Sequence, residues 1–83
     1  MMRRVLGTPP AEKDLARLTP EDQRRILDAL NRFCMTEAGD VRRLAATSLP
    51  EYRLRISPWR LRFYLSVEAV SVLRVLFRDK AYR

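Results

Sequence analysis

Apolar residues recur at helical spacing in the first half of the chain and at strand spacing in the second. Ile26, Leu27, Leu30, Phe33 and Cys34 fall at i, i+1, i+4, i+7 and i+8, which predicts an amphipathic helix with one apolar stripe. Thr19-Pro20-Glu21-Asp22 opens that helix with an N-cap hydroxyl, a proline at the first helical position and an acidic first turn. Glu21–Arg25 and Asp28–Arg32 stand at i,i+4 spacing on its outer face, and Gly39-Asp40 marks where the chain turns away. Upstream, residues 11–18 favour a first helix with Leu15 and Leu18 on one side. Met2 to Thr8 reads as a short strand closed by Pro9-Pro10, whose fixed φ and missing N–H groups stop a sheet ladder.

After a linker from Val41 to Pro50 the period falls to two. Tyr52, Leu54 and Ile56 alternate with Arg53 and Arg55; Ser57-Pro58 makes a tight turn; Trp59, Leu61, Phe63 and Leu65 then alternate with Arg60, Arg62 and Tyr64. Ser66 to Ala69 supplies a second turn. Val70 to Phe77 forms a third strand, in which strict alternation puts Ser71, Leu73, Val75 and Phe77 on one side and Val72, Arg74 and Leu76 on the other. The expected class is α+β, in the order β-α-α-β-β-β: a small antiparallel sheet with two helices packed on one face. Arg53, Arg55, Arg60 and Arg62, with Arg74 as a further contributor, converge on the uncovered face. Like charges set opposite one another destabilise a sheet, so this concentration points to a polyanionic partner.

Composition sharpens that expectation. The 83 residues carry 17 Lys and Arg against 10 Asp and Glu, a net charge of +7, and every cation except Lys13 and Lys80 is arginine. Residues 1–40 sum to zero, so residues 41–83 hold the whole excess. Arginine favours planar, bidentate recognition of phosphate or carboxylate. There is no histidine, and Cys34 stands alone, so zinc sites, disulfides and histidine-dependent triads or dyads cannot be assembled. A chain of this size buries only about 60–65% of its unfolded surface, which leaves little room for a deep cofactor cavity; neither a cofactor nor a metal is expected. The N-terminal residues lack a secretory apolar run, and Phe63 to Leu76, broken by Glu68 and Arg74, is too short to span a bilayer. A single cytosolic domain over residues 1–83, without membrane attachment, is the reading.

Five strings in this order resemble the RelE/ParE toxin superfamily of bacterial type II toxin–antitoxin systems: Ala11-Glu12-Lys13-Asp14-Leu15, Gly39-Asp40-Val41-Arg42-Arg43-Leu44, Tyr52-Arg53-Leu54-Arg55-Ile56, Trp59-Arg60-Leu61-Arg62-Phe63-Tyr64, and Leu73-Arg74-Val75-Leu76-Phe77-Arg78-Asp79-Lys80-Ala81-Tyr82. The resemblance covers nearly the whole chain. Its RelE branch implies an mRNA endoribonuclease of the ribosomal A site, in which the 2′-hydroxyl attacks the adjacent phosphate. By that pattern Arg53 and Arg55 orient the 2′-hydroxyl, Arg60 contacts the scissile phosphate, Arg78 serves the leaving 5′-oxygen and Tyr82 stacks on the nucleotide. Trp59, Arg62, Arg74 and Lys80 are further candidate RNA contacts. Arginine stands where ribosome-dependent members often carry lysine, and Phe77 stands where many carry histidine. The ParE branch, whose members inhibit DNA gyrase by protein contact, is the alternative. Either branch implies a separate acidic antitoxin chain, through which operator DNA is reached; the RelE branch adds the ribosome and mRNA as partners.

Overall fold

Two threonines start the two helices. The Thr8 hydroxyl accepts from the Ala11 N–H at 3.4 Å and the Thr19 hydroxyl from the Asp22 N–H at 3.2 Å, each followed by proline in the first helical turn. The computed structural model describes residues 3–44 and 51–78, so Lys80 and Tyr82 lie outside the described residues. Its elements are β1 (Arg4–Gly7), α1 (Pro9–Ala16), α2 (Pro20–Thr36), β2 (Asp40–Arg43), β3 (Glu51–Ile56), β4 (Trp59–Leu65) and β5 (Ala69–Phe77). Pro9-Pro10 therefore opens α1 as well as ending β1, because a proline in the first turn gives up only an N–H that has no helical partner. The Gln23 side-chain amide donates to the carbonyls of Leu15 and Leu18 at 2.9 and 3.2 Å, tying the end of α1 to the start of α2.

The α+β class with helices on one face is present, and the sheet is larger than the alternation implied. Five strands run in the order β1-β5-β4-β3-β2. The first strand pairs parallel to β5, with Arg4 opposite Ala69 and Gly7 opposite Val72. Asp40 to Arg43, assigned to the linker from sequence, pairs antiparallel with β3 as the opposite edge. Across β3, β4 and β5 the meander is antiparallel, turning through Ser57-Pro58, whose peptide bond is cis.

Strict alternation fails in β5. Phe63 pairs with Val72 but Arg62 pairs with Arg74, so Leu73 is an extra, bulged residue. The bulge rephases the strand: Val70 and Val72 face the helices before it and Val75 after it, all buried, while Arg74 turns to the opposite face beside Arg62. A regular strand would have kept Arg74 with Val70 and Val72.

The core lies between α2 and the sheet. Ile26, Leu30, Phe33 and Cys34 meet Leu54, Leu61, Phe63, Val70, Val72 and Val75. Phe33 and Phe63 approach to 5.4 Å between ring centroids, and Tyr52 stacks on Phe63 at 5.8 Å. Leu27, which the helical stripe included, is 43% exposed at its margin. Phe63→Ala is expected to cost about 3–5 kcal/mol in urea unfolding, and Leu27→Ala about 1 kcal/mol or less; equal losses would contradict this placement of the core.

Candidate functional site

The face of the sheet away from the helices is organised in cross-strand rows. Arg42 on β2 is opposite Arg53 on β3, Arg53 is opposite Arg62 on β4, and Arg62 is opposite Arg74 on β5. Four arginines thus form one file across four adjacent strands, spanning about 14 Å at the usual interstrand spacing. The neighbouring row toward the β3–β4 turn holds Asp40, Arg55, Arg60 and Leu76; the row on the other side holds Glu51, Tyr64 and Ser71. Arg78 follows β5 beside that turn, its backbone N–H donating to the Pro58 carbonyl at 2.9 Å.

Two carboxylates anchor the β4–β5 end of the file. Glu51, with its side chain only 6% exposed, accepts from Arg62 Nε at 2.7 Å and also pairs with Arg62 Nη2. Asp14 of α1, 10% exposed, accepts from Arg74 Nε at 2.7 Å and from Arg74 Nη2 at 3.1 Å. It also accepts from the Val75 backbone N–H at 3.0 Å, so one side chain fastens α1 to β5 and orients an arginine. Burial, the largest single influence, pushes the Asp14 carboxyl up, but the Arg74 and Val75 hydrogen bonds together with the Arg74 and Arg17 charges outweigh it and hold the group below its usual range. The Arg74 guanidinium shifts reciprocally upward, chiefly through the Asp14 hydrogen bond. Asp40 stands 3.9 Å from Arg55 Nε, with both side chains more than half exposed.

Arg60 differs from the rest of this face. It is 4% exposed, and Nη1 donates to the Trp59 carbonyl at 3.1 Å while Nε has no hydrogen-bond partner. Among the described residues no carboxylate lies within ion-pair distance of it. A buried guanidinium with an unmet donor favours an anionic group brought to it.

The structure brings Arg53, Arg55, Arg60 and Arg62 to one face and adds Arg74 through the bulge. By register Trp59 belongs to the opposite, helix-covered face, half-buried and edge-on to Phe77 at 5.5 Å, and at the free edge of β5 it lines a cavity with Asp14, Arg17 and Arg74. Arg42 and the two anchors, Glu51 and Asp14, complete the arrangement; from sequence Glu51 and Glu68 are the candidate ion-pair partners of Arg74, whereas Glu51 pairs with Arg62 and Arg74 with Asp14. Glu51 lies two residues before Arg53, so period-two parity already put it on the arginine face; Asp14 is sixty residues from Arg74 and left no such local signal. Among the described residues no group of three metal-ligating side chains comes together. Cys34 is buried in the core, where burial pushes its thiol pKa up.

The sequence matches no protein-family model and no curated relative. Solved structures do match it. A chain of the archaeal RelE–RelB complex from Pyrococcus horikoshii OT3 superposes with a TM-score of 0.80 at 24% identity, over 98% of this chain and 100% of that one. The chain has a RelE-like toxin fold. A chain of the RelBE2 toxin–antitoxin complex from Mycobacterium tuberculosis gives a TM-score of 0.80 at 21% identity, over 94% of this chain and all of that one. The YoeB dimer of Staphylococcus aureus gives 0.73 at 15%, over 93% of this chain and 98% of that one. These identities establish a likeness of fold; in this chain the RelE-like sheet carries its arginines on the face that the helices leave open.

The lowered Asp14 pKa fixes the sign of one pH effect. The stabilisation it confers is complete above the unfolded carboxyl value near ~4 and is lost as pH falls through the lower folded value. In urea titrations the stability gap between wild type and Asp14→Asn is expected to be constant from neutrality to about pH 5 and to shrink below about pH 4; a gap that widens on acidification would contradict the assignment.

Proposed function

We propose that the chain is the toxin of a toxin–antitoxin pair and acts in the cytosol as a ribosome-dependent mRNA endoribonuclease. The file Arg42–Arg53–Arg62–Arg74 carries this reading. Aligned like charges cost stability in an isolated sheet, and the cost is offset when phosphates lie across them. The RelE-like fold supports a toxin, and the RelE–RelB complexes among its structural neighbours support an antitoxin as partner. On the other side of the sheet, Val5 and Leu27 border an apolar groove of about 180 Å³ between the helices and β1, a surface suited to the apolar residues of a wrapping segment.

The chemistry follows from what arginine can do. The 2′-hydroxyl attacks the adjacent phosphorus, the P–O5′ bond breaks, and the products are a 2′,3′-cyclic phosphate and a 5′-hydroxyl. The 2′-oxygen gives up one proton and the 5′-oxygen gains one. Negative charge builds on the phosphoryl oxygens in between. A guanidinium stabilises that charge without changing protonation, whereas with a pKa above ~12 it is a very poor base. Arg60 is the phosphate contact in this scheme, Arg53 and Arg55 hold the 2′-hydroxyl, Arg78 serves the leaving oxygen and Tyr82 stacks on the nucleotide. Arg62, Arg74 and Lys80 bind the flanking backbone.

Expressed without antitoxin, the chain is expected to arrest growth and to generate mRNA 5′ ends in phase with codons. Arg60→Ala should slow cleavage about 10²–10³-fold while retaining antitoxin binding. Arrest with intact mRNA and an induced DNA-damage response would replace this reading with gyrase inhibition.

A further inference from the structure

Arg62 and Arg74, cross-strand neighbours at the β4–β5 end of the file, are each held by a carboxylate from a different part of the chain: Arg62 through one oxygen of Glu51, Arg74 through both oxygens of Asp14. In each pair the Nε and Nη2 edge of the guanidinium is engaged, and Nη1 is the end of the fork that the carboxylate does not hold. In each pair the acid is the less exposed partner and the base is presented. Side-chain exposure is 6% for Glu51 against 36% for Arg62, and 10% for Asp14 against 45% for Arg74. A solvated ion pair has no reason to separate its charges by depth twice.

We propose that Glu51 and Asp14 are positioning residues that preorganise Arg62 and Arg74 as a two-point clamp for consecutive phosphates of single-stranded RNA. The proposal rests on the RNA-binding reading of this face. A free arginine loses most of its rotamer freedom on gripping a phosphate; one already fixed along one edge of its fork has lost that freedom on folding. The side-on geometry leaves the distal nitrogen for a second acceptor, and the leucine bulge turns Arg74 to the same face as Arg62.

This makes an inverted prediction about charge. Screened electrostatics alone says that neutralising an acid on a polyanion-binding surface strengthens RNA binding. Preorganisation says the reverse. Binding of a short fluorescein-labelled single-stranded RNA to the full chain, followed by anisotropy, is expected to weaken roughly three- to tenfold in Glu51→Gln and in Asp14→Asn. The loss from Glu51→Gln should vanish in an Arg62→Ala background, and that from Asp14→Asn in an Arg74→Ala background, which general damage to the fold would not produce. If Glu51→Gln fails to fold, as judged by its melting curve, Asp14→Asn decides, because asparagine still accepts from the Val75 N–H. Unchanged or tighter binding in folded anchor variants, with Arg62→Ala and Arg74→Ala still weakening it, overturns the clamp alone. Unchanged binding in those arginine variants overturns the RNA reading of the face and the clamp with it.

Discussion

Repulsion within a file of four arginines is the constraint around which this surface is arranged. Register sets Arg42, Arg53, Arg62 and Arg74 side by side on four strands, where like charges work against pairing. Glu51 and Asp14 relieve two adjacent members, Arg62 and Arg74. The counter-charge is thus built into the fold without being presented to solvent. Replacing either acid by an apolar residue would expose the full repulsion, and removing either arginine would leave a buried carboxylate without its partner, so the pairs hold together as units.

The same contacts join the two sides of the molecule. Asp14 belongs to α1, yet it satisfies a backbone N–H of β5 and orients an arginine of the open face. The Thr8 hydroxyl caps the same helix and sits 2.9 and 3.1 Å from the Val72 and Leu73 carbonyls, directly at the bulge. The turn from β1 into α1 therefore secures the place where β5 changes phase. Helix packing supplies the apolar stability, through Ile26, Leu30, Phe33 and the strand residues beneath them, while this edge decides which way Arg74 faces.

Much of this was legible in the residues. Alternation from Tyr52 to Leu65 separates the arginine face from the core face because both strands are regular and long enough to show the period, and Thr19-Pro20 announces α2 by its cap. Thr8-Pro9 carries the same signature, yet two prolines after an apolar run read equally well as a strand end. Asp40 to Arg43 offers a single apolar side chain, Val41, too little to distinguish an edge strand from a linker, so the sequence does not place Arg42 on the arginine face. The bulge is invisible to any parity count, since one extra residue changes the phase without changing composition. Glu51 could be placed on its face but not paired with Arg62, because that pairing depends on the hairpin register. Asp14 depends on packing between the two ends of the chain.

The salt dependence of RNA affinity tests the central claim most directly, because it counts phosphates engaged by the file. For single strands log K falls with log salt by about 0.7 per phosphate contact, so Arg42, Arg62 and Arg74 of the file, together with Arg60 and Lys80, predict a slope of about −3 to −4. Alanine at Arg42, which no other reading of the chain requires for RNA binding, should reduce the slope by about 0.7. A slope near zero, or one that Arg42→Ala leaves unchanged, would contradict the account.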